Sequence, residues 1–230
     1  MVSFDMASSA SMRDNSQILA MRRTTALYRA CMSLASEGSL LALENEGMKR
    51  LGLNAQVMAV HTGTRGGSLE VLVAEISRLS TSIREILGQL AGSASILNEK
   101  SVRILHMSHL NASYGAGWET GIMSINQELY LRAYSSNRER LGTSLSELEE
   151  QLRLATRHLD DLTRIAQQIP PISSLIRIVV AEIRMKTDEL LGTVADLTNF
   201  HQLLEVKIER MREVRGQALA RIDEMREQHQ

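Results

Sequence analysis

Disulfide bridges, aromatic-rich cores and proline-punctuated loops are all excluded by what this sequence has little of: one cysteine, two prolines and 3% aromatic residues in 230. Cys31 alone cannot form an intramolecular disulfide, and in its LYRACMSLA setting it reads as a small apolar residue of a helix. Few large rings argue against a compact, sheet-containing enzyme domain. Charge of one sign is missing too, since 26 basic residues face 27 acidic ones, and without a basic face no nucleic-acid partner is expected. Nothing approaches the run of about 18–20 apolar residues that spans a membrane. The nearest stretch, 175–183, is broken by Arg177 and Glu182. The start of the chain carries Asp5 and lacks the basic and apolar regions of a signal peptide. These absences predict a cytoplasmic protein without membrane insertion.

What is there is the leucine, alanine, glutamate and arginine mixture of long helices, with apolar residues spaced by three and four. After a disordered leader, 1–13, a first helix is expected from Asp14, with Asp14 or Ser16 as its N-cap. One column in it, Ala20, Leu27, Leu34, Leu41, Met48 and Ala55, recurs every seven residues. Gly63, Gly66 and Gly67 then form a hairpin turn, because glycine adopts positive φ without steric cost. Ser68 caps a returning helix with the seam Leu69, Leu72, Ile76, Leu79, Ile83, Ile86 and Leu90. Across this hairpin Leu53, Val57 and Val60 are expected to face Leu69, Leu72 and Ile76, leaving Val71, Glu75 and Arg78 on another face.

A loop at 112–120, in NASYGAGWETG, separates this hairpin, 14–111, from a second one, 121–230. The third helix keeps its spacing through Leu141, Leu145, Leu148, Leu152, Ala155, Leu159, Leu162, Ala166 and Ile169. Pro170 and Pro171 should stop it and turn a sharp corner. A fourth helix runs from there to near Gln228, its seam extending from Ile176 to Met225 with only Thr187, His201 and Arg215 polar. Single polar seam residues set register. The stripe is too long for the third helix to cover, so its end should seek a second copy or the first hairpin, and a homo-oligomer is expected. The fold class predicted is all-α, an elongated antiparallel coiled coil or four-helix bundle of long helices.

Chemistry is poorly represented. No phosphate loop, GxSxG elbow or HExxH motif is present, and no enzyme, cofactor or metal is expected. His106 and His109 share a helix face but lack a third ligand, and read as exposed residues near a helix end. His158 and His201, the other pair weighed, fall at different heights along the second hairpin.

Residues 49–79, KRLGLNAQVMAVHTGTRGGSLEVLVAEISRL, carry a resemblance. Leu51, Leu53, Asn54, Ala55, Ala59, Gly63, Gly66, Val71, Glu75 and Leu79 match, without gaps, the signalling tip of bacterial chemoreceptors, the methyl-accepting chemotaxis proteins; Val57, Leu72 and Ile76 are close substitutes. The resemblance implies a signalling hairpin whose tip contacts a chemotaxis kinase, a coupling adaptor or another array component. The positions it implicates in partner binding are Leu53, Asn54 and Val57 on the outgoing arm and Val71 and Glu75 on the returning one. Glu46, Met58 and His61 stand where the family has an aromatic, a glutamate and an arginine, and no methylation-site pair is found, so neither the family's trimeric assembly nor its methylation is expected. A structural coiled-coil scaffold that keeps the hairpin without kinase control is the alternative.

Overall fold

The computed structural model describes the backbone of residues 3–61, 67–119, 127–183 and 187–227, and side chains within 18–19, 21–57, 68–114, 127–181 and 191–227. Five helices account for it: α1 (Ser3–His61), α2 (Gly67–Glu119), α3 (Gln127–Ala166), α4 (Ile169–Ile183) and α5 (Thr187–Glu227). No strand occurs among the described residues. The fold is an all-α helical bundle, as the periodicity predicts. It forms two compact units: Met1–Leu34, Ser93–Leu154 and Val214–Gln230 make the first, and Ala35–Gly92 with Ala155–Glu213 make the second.

Most seam positions are where the spacing puts them; on α2 the expectation is corrected at Leu72 and Ile86, which are half-buried while their neighbours Val73 and Leu87 are buried. All eight α3 positions from Leu141 to Ala166 are buried, with Ile169 at the start of α4, as are Leu27, Leu34, Leu41, Met48 and Ala55 of α1. On α5, Val194, Leu197, Leu204, Ile208, Met211, Ala218, Ile222 and Met225 are buried. Each fully buried leucine or isoleucine contributes about 1.5–3 kcal/mol relative to exposure, so these columns decide the fold. A second α1 column is buried without any large apolar residue in it: Thr24, Cys31, Gly38, Asn45 and Gly52. Small residues here let α2 come close. A Cβ on Gly52 would stand 3.3 Å from Ser77 Oγ. Asn45, buried in this column, donates from Nδ2 to the Ser80 carbonyl at 3.0 Å, and Asn137 of α3 does the same to the Met107 carbonyl at 3.0 Å.

Four expected boundaries are corrected. The leader at 1–13 is helical from Ser3 onward, with neither proline nor glycine before Gly38 to stop it. The loop expected at 112–120 is instead the end of α2, which runs to Glu119. A glycine in a helix costs about 1 kcal/mol but does not break it, and tertiary contacts hold this end: Tyr114 meets Tyr130 and Tyr134 edge-on at ring-centroid distances of 5.4 and 6.5 Å. The hairpin turn at 63–67 is narrowed, because Gly67 already opens α2, while Gly63 and Gly66 lie outside the described residues.

The fourth correction concerns Pro170 and Pro171, which do not turn the chain around. Arg212 of α5 donates to Asp160 and to Thr163 Oγ1 of α3, both at 2.9 Å. Had the chain folded back at Gln168, a rise of 1.5 Å per residue would put Asp160 about 12 Å and Arg212 about 66 Å from the corner. With reversal between Ile183 and Thr187, Asp160 lies 23 residues before the first and Arg212 25 after the second, arms of nearly equal length. The prolines merely interrupt the hydrogen-bond ladder. Gln167 N still donates to Thr163 O at 3.1 Å and Gln168 N to Ile165 O at 2.9 Å, after which α4 opens with both prolines in its first turn, where a missing amide is tolerated.

The α5 stripe finds its cover inside the chain. In the second unit Lys207 and Arg210 reach Glu37 of α1 at 2.6 and 2.8 Å, and in the first unit Arg23 of α1 meets Glu224 at 3.2 Å. Of the two covers expected, a second copy or the first hairpin, the first hairpin supplies this one.

Candidate functional site

The chemoreceptor-like positions sit on the second unit, at the ends of α1 and α2 that approach their connection. Leu53 is 53% exposed, Val57 57% and Val71 69%. Three large apolar side chains in water beside a fully packed seam make a patch that the core does not use. Asn54 is exposed with them. The expectation that Leu53 and Val57 face Leu69, Leu72 and Ile76 is therefore corrected, and Val60 lies outside the described side chains. The contact across the hairpin is made by the small column instead, with Gly52 packing on Ile76 and Ser77. The α1 columns at Met48 and Ala55 and at Asn45 and Gly52 turn Leu53 and Val57 outward.

Glu75 is held. Arg78, one turn on, grips its carboxylate with both Nε, at 2.8 Å, and Nη2, and the same guanidinium donates to Gln168 Oε1 of the α3–α4 turn at 3.0 Å. The hydrogen bond from Arg78 lowers the Glu75 carboxyl below its ordinary range. Of the two residues implied for the returning arm, then, Val71 is open to solvent and Glu75 is engaged by its own bundle.

Three further apolar residues of this unit were not singled out by sequence reasoning: Leu175 and Ile178 of α4 and Leu191 of α5 are exposed. Reversal between α4 and α5 places them at the end of the unit that carries Leu53, Val57 and Val71, since α1 and α4 both run antiparallel to α2. The signal in the sequence is the density of the run 175–183, apolar on more faces than one seam can bury.

The histidines do not converge. His106 and His109 are exposed on α2, His158 is half-buried on α3, and His201 Nδ1 lies 3.7 Å from Glu205. Among the described residues, no group of three or more His, Cys, Asp or Glu side chains is placed to hold a metal ion. Burial pushes the Cys31 thiol up to about 12, which leaves it protonated and inert at neutral pH. No described helix is long and apolar enough to cross a membrane. No family model, curated protein or solved structure matches the chain.

Proposed function

We propose that the chain is a cytoplasmic, chemoreceptor-like signalling protein, and that the α1–α2 end of its second unit docks a chemotaxis kinase or coupling adaptor. The observation that carries this reading is the exposure of Leu53, Val57 and Val71 beside a complete core, at the positions the chemoreceptor resemblance assigns to partner contacts. Exposed apolar anchors flanked by a polar side chain such as Asn54 suit a protein interface. Binding, not catalysis, is the role proposed.

One observation favours the scaffold alternative. Glu75 is occupied by Arg78, which also ties it to Gln168, so one of the implied partner contacts serves the bundle itself. Val71 separates the two readings, because it touches neither seam. Val71→Asp should abolish co-elution with the purified cognate kinase and adaptor and remove any effect on kinase autophosphorylation, while melting shifts by less than about 0.5 kcal/mol, as for other surface changes. Unaltered co-elution of the variant, or no co-elution of the parent protein, would leave the scaffold reading in its place.

A further inference from the structure

The first unit carries a groove that no seam fills. It has a volume of about 750 Å³ and lies between α1 and α5, floored by small or medium side chains such as Ala26 and Val214 and walled by Ile18, Met21, Arg22 and Arg29. Ile18 and Met21 are 49% and 43% exposed, which leaves apolar surface beside the two arginines for an occupant to cover. Among the described residues, no carboxylate lines the groove. Glu224 of α5 is engaged by Arg23 at 3.2 Å.

Arg22 and Arg29 are seven residues apart on one helix, two turns and about 10.5 Å along its axis. A second helix laid along the groove has the same rise, so carboxylates seven residues apart on it meet both guanidinium groups. The apolar residues between those carboxylates then fall over Ala26 and against Ile18 and Met21. This is the helix-in-groove mode of recognition, with charge selecting the occupant. We infer that the α1–α5 groove docks one amphipathic helix of a partner protein, apolar face inward, with two acidic residues two turns apart held by Arg22 and Arg29.

The test uses the full chain and two fluorescein-labelled synthetic amphipathic helices. One carries leucine at the seam positions and glutamate at two flanking positions seven apart; the other has lysine in place of both glutamates. Anisotropy titration should give at least about tenfold tighter binding of the glutamate peptide, the size expected when two exposed charge pairs become two repulsions. Arg22→Glu with Arg29→Glu should reverse the order of the two peptides without changing melting. Equal affinity, no binding, or an order unaffected by the double variant overturns the inference. So do a dimer in light scattering that the double variant dissolves, which makes a second copy the occupant, and competition by phosphatidylglycerol vesicles, which makes it a lipid surface. Should the double variant not fold, the ratio for the parent protein still decides.

Discussion

The two places where the sequence carries helix-breaking residues behave in opposite ways. Between His61, where α1 ends, and Gly67, where α2 opens, the chain reverses direction. At Pro170 and Pro171 it continues, and the second reversal falls between Ile183 and Thr187, where Arg184, Met185 and Lys186 include neither glycine nor proline. Losing an amide donor and changing direction are thus separate events. Proline does the first; direction is settled by which pairing of helices buries both seams, here α3 on α5 around Leu159 and Met211, each with essentially no exposure.

The sharpest way to break this comparison is a cross-link. With Asp160→Cys and Arg212→Cys, packed helices at the usual separation of about 8–10 Å should be joined nearly completely by a short bismaleimide. A chain reversed at the prolines would hold the two sites more than about 50 Å apart at a helical rise of 1.5 Å per residue and give none. Cys31, buried with its thiol raised to about 12, stays out of the reaction.

A smaller effect is expected from Pro170→Ala with Pro171→Ala. Two amides return to the ladder, offset by the greater freedom of the unfolded chain, so melting should move by no more than about 1 kcal/mol. Cross-linking of residues 160 and 212 should persist. A collapse of helicity by circular dichroism would mean that the prolines do make a corner.

The smallest effect concerns the same α3–α5 pairing in the first unit, where Arg226 reaches Glu149 and Ser146. Hydrogen bonds from Arg226 and then Arg153 hold the Glu149 carboxyl below its ordinary range. Its folded value being depressed, the stabilisation is present above the unfolded glutamate value of about 4.3 and is lost as pH falls through the folded value. Glu149→Gln should therefore lower stability by about 0.5–1 kcal/mol at pH 7, and the gap should shrink as the pH falls below the unfolded value and through the folded one. A gap that persists in acid would assign the loss to packing.

The helices and most seam positions were legible because large apolar residues recur at a fixed spacing. The small α1 column was not, because Thr24, Cys31, Gly38, Asn45 and Gly52 show no hydrophobic signal; their burial comes from close approach of α2. That omission misdirected Leu53 and Val57 inward on paper, whereas both face solvent. Val71 was legible as a residue off the seam. The engagement of Glu75 was only half so, since Arg78 is a neighbour on the helix but Gln168 lies 90 residues away. The reversal between α4 and α5 was not legible at all, because it follows from pairing across the bundle and not from any glycine or proline in the sequence there.

Asn45 and Asn137 both spend an amide on a backbone carbonyl of α2. If either neighbour slid along α2 by one heptad, leucine would again meet leucine, so the apolar columns alone barely resist such a step. Asn45 would then meet Val73 or Leu87, which crowd the carbonyl that Ser80 leaves open, and Asn137 would lose Asn111, at a cost of about 1–3 kcal/mol each. The two act as pawls on an otherwise smooth ratchet: axial sliding past α2 is the stiff coordinate of each unit, and an input that reaches this chain travels more cheaply as a change in helix rotation or splay than as a piston stroke.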